Sequence, residues 1–135
     1  MKTTINVIIA TLFVLFTACG NKDRVYTNTS TEVISGGDFQ TIHKICMRMV
    51  ERQGTAGKAE YEQHGDTEII AREWAIGENG KEYFSRKIQL RTVQDGVKIE
   101  VSSDWTDKYA KDSNEGFIFI VKDDLKKVKS GDLSL

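Results

Sequence analysis

The clearest pair of reactive side chains in the sequence is His43 and Cys46, which lie three residues apart in a stretch of regularly spaced apolar residues. Residues at that spacing are neighbours on a helix, and a cysteine beside a histidine is the minimal set for a nucleophilic thiolate. Cys46, however, falls on the apolar stripe of the stretch, where a free cysteine behaves as a small hydrophobic residue. No catalytic signature surrounds it. We therefore expect Cys46 to be a packing residue and the chain not to be an enzyme, with a thiol enzyme as a remaining alternative.

Ligands for a metal ion or a cofactor are scarce in this chain. It has two histidines and two cysteines, whereas a metal site needs several ligands that converge. The segment from Asp112 to Gly116 begins like a calcium loop, but its glycine comes one residue too early and Asp123 stands where a bidentate glutamate is required. No glycine-rich phosphate loop is present. We expect a solvated turn at this segment, no metal site and no cofactor.

The other cysteine, Cys19, follows an apolar run near the first residue. Lys2 precedes the run Ile5–Phe16, which only Asn6 and Thr11 interrupt. This order is that of a signal peptide, and the run is shorter than the roughly 20 residues that a membrane-spanning helix needs.

The residues Leu15-Phe16-Thr17-Ala18-Cys19-Gly20 resemble the lipobox of bacterial lipoproteins. The resemblance implies cleavage before Cys19, attachment of diacylglycerol to its thiol and acylation of the new N-terminus, and Gly20 implies transfer to the outer membrane. Several acyl chains anchor a protein stably, whereas one binds only marginally. The resemblance thus predicts a signal peptide at residues 1–18, a lipidated Cys19 with a polar tether at residues 19–37, and a cell-envelope protein whose lipid anchor holds it in the membrane.

An amphipathic helix is predicted directly after the tether. Apolar residues recur at spacings of three and four between Phe39 and Val50, Asp38 precedes them as a helix N-cap, and Gly54 follows. The polar segment Thr55–Asp66 is expected to be a loop or a weak strand.

Two hairpin turns are predicted at Asn79-Gly80 and Asp95-Gly96. As two-residue loops they pair Ala75 with Phe84 and Glu73 with Arg86 in the first hairpin. In the second hairpin they pair Leu90 with Val101. Both hairpins then share one middle strand and collect the following apolar residues on one face, which the helix would cover: Ile69, Ala71, Ala75, Phe84, Ile88, Leu90, Ile99 and Val101.

The rest of the chain completes the predicted fold. The run Gly116–Val121 is apolar on both faces, which predicts a fourth strand, reached through a loop at Thr106–Glu115. Residues 123–135 are predicted to be a charged tail. The predicted fold is α+β: one amphipathic helix on a four-stranded antiparallel meander at residues 38–122, similar in outline to the cystatin-like roll. Whether residues 25–35 add a further strand before the helix is left open.

The face of this sheet turned away from the helix carries the best candidate for a binding surface. The predicted registers place Ile70, Trp74, Ile76 and Tyr83 there, with Ile76 opposite Tyr83. Tryptophan and tyrosine are enriched at interface hot spots, so these residues indicate a contact surface. The alternative is that the N-terminal segment or the tail covers them, or that the sheet curls enough to bury them. Trp105 is expected in the core, beside Arg86 as a cation–π neighbour.

The balance of charge argues against one class of partner, the nucleic acids. With 19 basic and 20 acidic residues, the chain lacks the basic face of a nucleic-acid-binding protein. We expect a membrane-anchored, non-enzymatic lipoprotein that acts as a binding or assembly module on an unidentified envelope protein. The alternative is an inhibitor or immunity-type lipoprotein that blocks a foreign enzyme at the cell surface through the loop Thr106–Glu115.

Overall fold

The computed structural model describes residues 24–53 and 60–135. The predicted signal peptide, Cys19 and the first residues of the tether lie outside the described residues, as does the predicted helix end at Gly54. The elements follow one another as β1 (Asn28–Ile34), α1 (Phe39–Gln53), β2 (Glu60–His64), β3 (Glu68–Gly77), β4 (Gly80–Val93), β5 (Gly96–Ser103) and α2 (Ala110–Ser130).

The strands form one antiparallel sheet in the order β1-β5-β4-β3-β2. Both helices pack on the same face of this sheet, α1 against β3, β4 and β5, and α2 against β1 and β5. The α+β class is therefore confirmed. The expected count of four strands and one helix is not exact, because the described residues form five strands and two helices.

Helix α1 follows its predicted pattern. Asp38 caps its first turn, where the Thr41 backbone N–H donates to Asp38 Oδ1 at 2.9 Å and the Thr41 hydroxyl donates to Oδ2 at 2.7 Å. The apolar stripe that begins at Ile42 is buried against the sheet. Local capping and apolar spacing act in the same direction here, so sequence reasoning finds this helix easily.

Both hairpin loops lie one residue earlier than predicted. Gly77 pairs with Gly80 and Val93 pairs with Gly96, so the loops are Glu78-Asn79 and Gln94-Asp95. Each register is thereby shifted by two residues: Ala75 faces Glu82 instead of Phe84, Glu73 faces Phe84 instead of Arg86, and Leu90 faces Ile99 instead of Val101. Side chains alternate with a period of two, so this shift leaves every residue on its predicted face.

Gly96 shows why the second loop takes this position. Its φ is +148°, and a Cβ atom there would overlap the carbonyl oxygen of Ile34 at the end of β1. Only glycine allows this approach of β1 to the start of β5. The constraint comes from a strand far away in sequence, so the turn motif alone does not reveal it.

The predicted fourth strand is wrong. Gly116–Val121 lies inside α2, which runs from Ala110 to Ser130 and ends at Gly131 with φ +82°. The loop predicted at Thr106–Glu115 is helical from Ala110 onward, and the predicted charged tail is largely the second half of α2. The buried residues of α2 recur at helical spacing over about four turns, a period that a short apolar run conceals: Ala110, Asn114, Phe117, Ile118, Val121, Asp124 and Leu125.

Both edge strands come from segments that sequence reasoning left open. β1 lies within the predicted tether and pairs with β5 along its whole length, from Asn28 opposite Ser103 to Ile34 opposite Val97. β2 pairs with β3, and its side chains are exposed throughout. The sheet therefore starts before the predicted domain boundary at residue 38, and α2 ends after the one at residue 122.

The main core lies between the sheet and the two helices. Its buried members are Ile34, Ile42, Ile45, Cys46, Met49, Val50, Ile69, Ala71, Ile88, Leu90, Val97, Ile99, Val101, Phe117, Ile118, Val121 and Leu125. A smaller cluster beside it contains Trp105, whose ring stacks on Phe84 with 5.3 Å between the ring centroids. Trp105 is buried as predicted, but the cation–π partners of Arg86 are Phe84 and Phe117.

Candidate functional site

The face of the sheet opposite the helices, here called the outer face, carries alternate residues of every strand. On its two central hairpin strands these are Ile70, Arg72, Trp74 and Ile76 of β3 and Lys81, Tyr83, Ser85 and Lys87 of β4. Among the described residues, both helices pack on the other face. The outer face is therefore the side of the sheet that is open to a partner.

An aromatic patch, formed by Trp74, Ile76 and Tyr83, occupies the hairpin end of the outer face. Trp74 lies directly opposite Tyr83, and Ile76 lies opposite Lys81, which corrects the predicted pairing of Ile76 with Tyr83. The side chains are 43%, 73% and 54% exposed, respectively. Large apolar side chains exposed together are typical of a contact surface.

Two cations rim the aromatic patch. Lys81 Nζ lies 4.2 Å from the centroid of the Trp74 ring and 5.9 Å from that of Tyr83. The guanidinium carbon of Arg72 lies 5.6 Å from the centroid of the Tyr83 ring. At these distances the ring faces attract the cations. The surface thus offers apolar rings and positive charge side by side.

Ile70 is on the predicted face but is not part of the aromatic patch. Arg72 separates it from Trp74 along β3, and it lies between Glu62 of β2 and Lys87 of β4. Its side chain is half-buried. The structure therefore brings together three of the four predicted surface residues.

The N-terminal segment Arg24–Thr27 crosses the outer face. Sequence reasoning assigned these residues to the tether. The Thr27 backbone N–H extends the pairing of β1 by donating to the Ser103 carbonyl at 3.1 Å. Further back, Tyr26 lies under Lys87 of β4, with Nζ 4.7 Å from the ring centroid. Arg24 donates to the Ser85 hydroxyl and to Asp104 Oδ2, the latter at 3.2 Å.

This crossing buries part of the outer face and leaves the rest exposed. Ser85 is 3% exposed although it lies on the outer face, whereas the aromatic patch next to it stays open. Burial and the nearby Asp104 carboxylate raise the pKa of Tyr26. The expected alternative, that the N-terminal segment covers the aromatic residues, is therefore wrong for the described part of that segment.

The candidate thiol site does not present a nucleophile. Cys46 is 0% exposed, and burial raises its pKa to about 12. His43 is half-buried, and its ring stacks on Phe39 with 6.2 Å between the ring centroids. Because the thiolate is the reactive form, we expect Cys46 to be unreactive at neutral pH while the protein is folded.

A buried ion pair beneath α2 is the main polar feature of the core. Arg86 Nε lies 3.3 Å from Glu73 Oε2, and the two side chains are 4% and 2% exposed. Arg86 also donates to the Ser113 hydroxyl at 2.8 Å. Burial raises the pKa of Glu73, which the guanidinium partly offsets, and burial lowers the pKa of Arg86. Sequence reasoning placed Arg86 directly opposite Glu73, whereas Phe84 lies opposite Glu73 and Arg86 is its diagonal neighbour. The burial of the pair was not foreseen.

The described residues contain no group of three or more histidine, cysteine, aspartate and glutamate side chains able to hold a metal ion. No helix within residues 24–53 and 60–135 combines the length and the apolar character needed to cross a membrane. Comparison of the chain with family models, with curated proteins and with solved structures gave no match. Its function is therefore argued from the outer face and from the sequence motif at Cys19.

Proposed function

We propose that the chain is a membrane-anchored, non-enzymatic lipoprotein of the cell envelope, sorted to the outer membrane. It acts as a binding or assembly module through the outer face of its sheet. The observation that carries this proposal is the aromatic patch, which is exposed on a sheet whose other face is filled by both helices. The lipobox-like residues at Cys19 supply the expected anchor.

The chemistry of the outer face supports binding rather than catalysis. A catalytic site brings a nucleophile, a base or a metal ion to one cleft. The exposed residues here are two aromatic rings, an isoleucine and two cations held over the rings. On contact with a partner these groups would bury apolar area and place positive charge around it. This arrangement is typical of a protein interface, with an apolar centre and a polar rim.

The anchor and the contact surface are tested separately. Cys19→Ala in the full chain is expected to abolish lipid labelling and to release the protein from membranes. Unchanged membrane retention would contradict the lipoprotein assignment.

The contact surface is tested by a photoreactive residue at position 76 in the full chain, in envelope membranes. Phe119 provides a matched control, because it is 69% exposed on α2, close to the 73% of Ile76. We expect crosslinked adducts at position 76 well above those at position 119, and their loss in a Trp74→Ala/Tyr83→Ala variant that still folds. Equal yields at the two positions, or a folded double variant that keeps every partner, would refute the outer face as the contact surface.

Two more specific predictions, the cystatin-like roll and the inhibitor or immunity-type function, have less support. The likeness to the cystatin-like roll rests on a helix followed by a meander, and α2 lies outside that outline. The inhibitor or immunity-type alternative depended on a loop at Thr106–Glu115, of which only the part before Ala110 remains. No further observation favours that alternative.

A further inference from the structure

The point at which the described chain begins constrains how the domain can sit on a membrane. Arg24 binds Ser85 on β4, and β4 is the central strand of the five. The described chain therefore begins over the middle of the outer face and not on the helical side, and this point is its exit toward Cys19.

The remaining length of chain is short. Four residues lie between Cys19 and Arg24, and the five steps from one Cα atom to the next span at most about 18 Å when fully extended. One layer of sheet with one layer of helix is about 20 Å thick. A lipid on Cys19 can therefore not reach past the helical side of the domain, and the outer face is the broad surface nearest to the membrane that holds the anchor.

The aromatic patch lies beside this exit. Tyr83 precedes Ser85 by two residues on the same face of β4, a separation of about 7 Å. Val25, in the crossing segment itself, is 73% exposed. Tyr83 and Val25 thus place an aromatic and an apolar side chain beside this exit.

The charges on this end of the outer face fit lipid headgroups. Arg24 and Arg72 are paired with Asp104 and Glu60. Lys81 and Lys87, by contrast, lie over aromatic rings and form no ion pair with a carboxylate among the described residues. Tryptophan and tyrosine rings favour the headgroup level of a bilayer, and lysine side chains beside them extend toward the phosphates.

From these observations we propose that the aromatic patch, with Lys81 and Val25, docks on the lipid headgroup layer of the membrane in which Cys19 is anchored. This inference rests on the proposed function, because it takes the lipid anchor as given and names the partner of the same surface. Docking would hold the sheet flat on the membrane and turn α1 and α2 toward the aqueous side.

Fluorescence quenching in vesicles tests this contact. The full lipidated chain is reconstituted into phosphatidylcholine vesicles with either ordinary or brominated acyl chains, since bromine quenches a tryptophan that reaches the bilayer. The chain has two tryptophans, of which Trp105 is 5% exposed on the helical side. We expect brominated vesicles to reduce the fluorescence of the parent chain, and Trp74→Phe to abolish that reduction.

Charge variants test the role of Lys81. Lys81→Glu is expected to weaken the quenching of Trp74, measured as the ratio between brominated and ordinary vesicles. Lys126→Glu, the same change at an exposed position on α2, is expected to leave that ratio unchanged. Equal effects of the two variants would contradict a headgroup contact at Lys81.

Flotation of the vesicles separates failure of this inference from failure of the proposed function. A chain that does not float with vesicles has no anchor, which overturns both. A chain that floats but whose Trp74 is not quenched keeps its anchor and overturns the headgroup contact alone. Protein adducts at position 76 in that case would assign the aromatic patch to a protein partner.

Discussion

The buried pair of Glu73 and Arg86 should respond unequally to loss of either partner. Glu73→Leu leaves the guanidinium of Arg86 buried, with the Ser113 hydroxyl and two aromatic rings as its remaining neighbours. Removing one partner of a buried pair costs about 3–5 kcal/mol. Since arginine does not lose its proton in a folded protein, no change of protonation at Arg86 relieves this loss between pH 4 and 8.

Arg86→Met leaves a buried carboxyl that can become neutral. Without the guanidinium, burial alone raises the pKa of Glu73 above its unfolded value. A raised folded pKa contributes stability that is complete below the unfolded pKa and is lost as pH rises through the folded pKa. The stability of Arg86→Met should therefore fall by up to about 1.4 kcal/mol per pH unit above roughly pH 4.3. Its cost relative to the parent should be small in acid and should grow once the pH passes the raised pKa of Glu73 in the parent.

The assay is urea denaturation at several pH values. Unfolding is monitored by the fluorescence of Trp105 in a Trp74→Phe background. The double variant Glu73→Leu/Arg86→Met removes both charges and should be within about 1 kcal/mol of the parent, or more stable. The control is Glu60→Leu, which breaks a surface pair to Arg72 at 3.8 Å with side chains more than half exposed. Its cost should stay below about 1 kcal/mol.

Two results would refute this reasoning. Losses in both single variants no larger than that of Glu60→Leu would mean that water reaches the pair. Parallel pH dependence of Glu73→Leu and Arg86→Met would mean that Glu73 does not take up a proton when its partner is removed.

Three further predictions concern the fold. Cys46 should react with iodoacetamide only on unfolding, because its thiol is buried and its pKa is raised to about 12; rapid labelling of the native protein would contradict this. Phe117→Ala should lower the free energy of unfolding by about 3–5 kcal/mol, whereas Phe119→Ala should change it by no more than about 0.5 kcal/mol. The two side chains are 2% and 69% exposed on α2, and equal losses would favour a strand, in which residues two apart share a face. Gly96→Ala should lower the melting temperature more than Gly80→Ala, because both have positive φ but only Gly96 faces a nearby carbonyl; the reverse order would contradict the approach of β1.

The sequence by itself determined the features that depend on local spacing. The N-cap and apolar stripe of α1, the alternation of faces along β3, β4 and β5, and the outward position of Trp74 all follow from periods of 3.6 and 2. A shift of two residues in both hairpins left these assignments intact. The same spacing identified Cys46 as a packing position and placed Glu73 and Arg86 on the same face of the sheet.

Tertiary structure decided the features that depend on distant parts of the chain. Gly116–Val121 satisfies the pattern of a buried strand and that of a buried helix, and only its packing against β1 and β5 selects the helix. β1 has too little apolar content to predict a strand, yet the edge of β5 provides its hydrogen bonds. The exit of the chain over the outer face arises in the same way, because Arg24 finds its partners on β4 and after β5, some sixty to eighty residues away in sequence. Local patterns set the face on which a side chain lies, but contacts between distant segments decide which face is covered and which one remains open for binding.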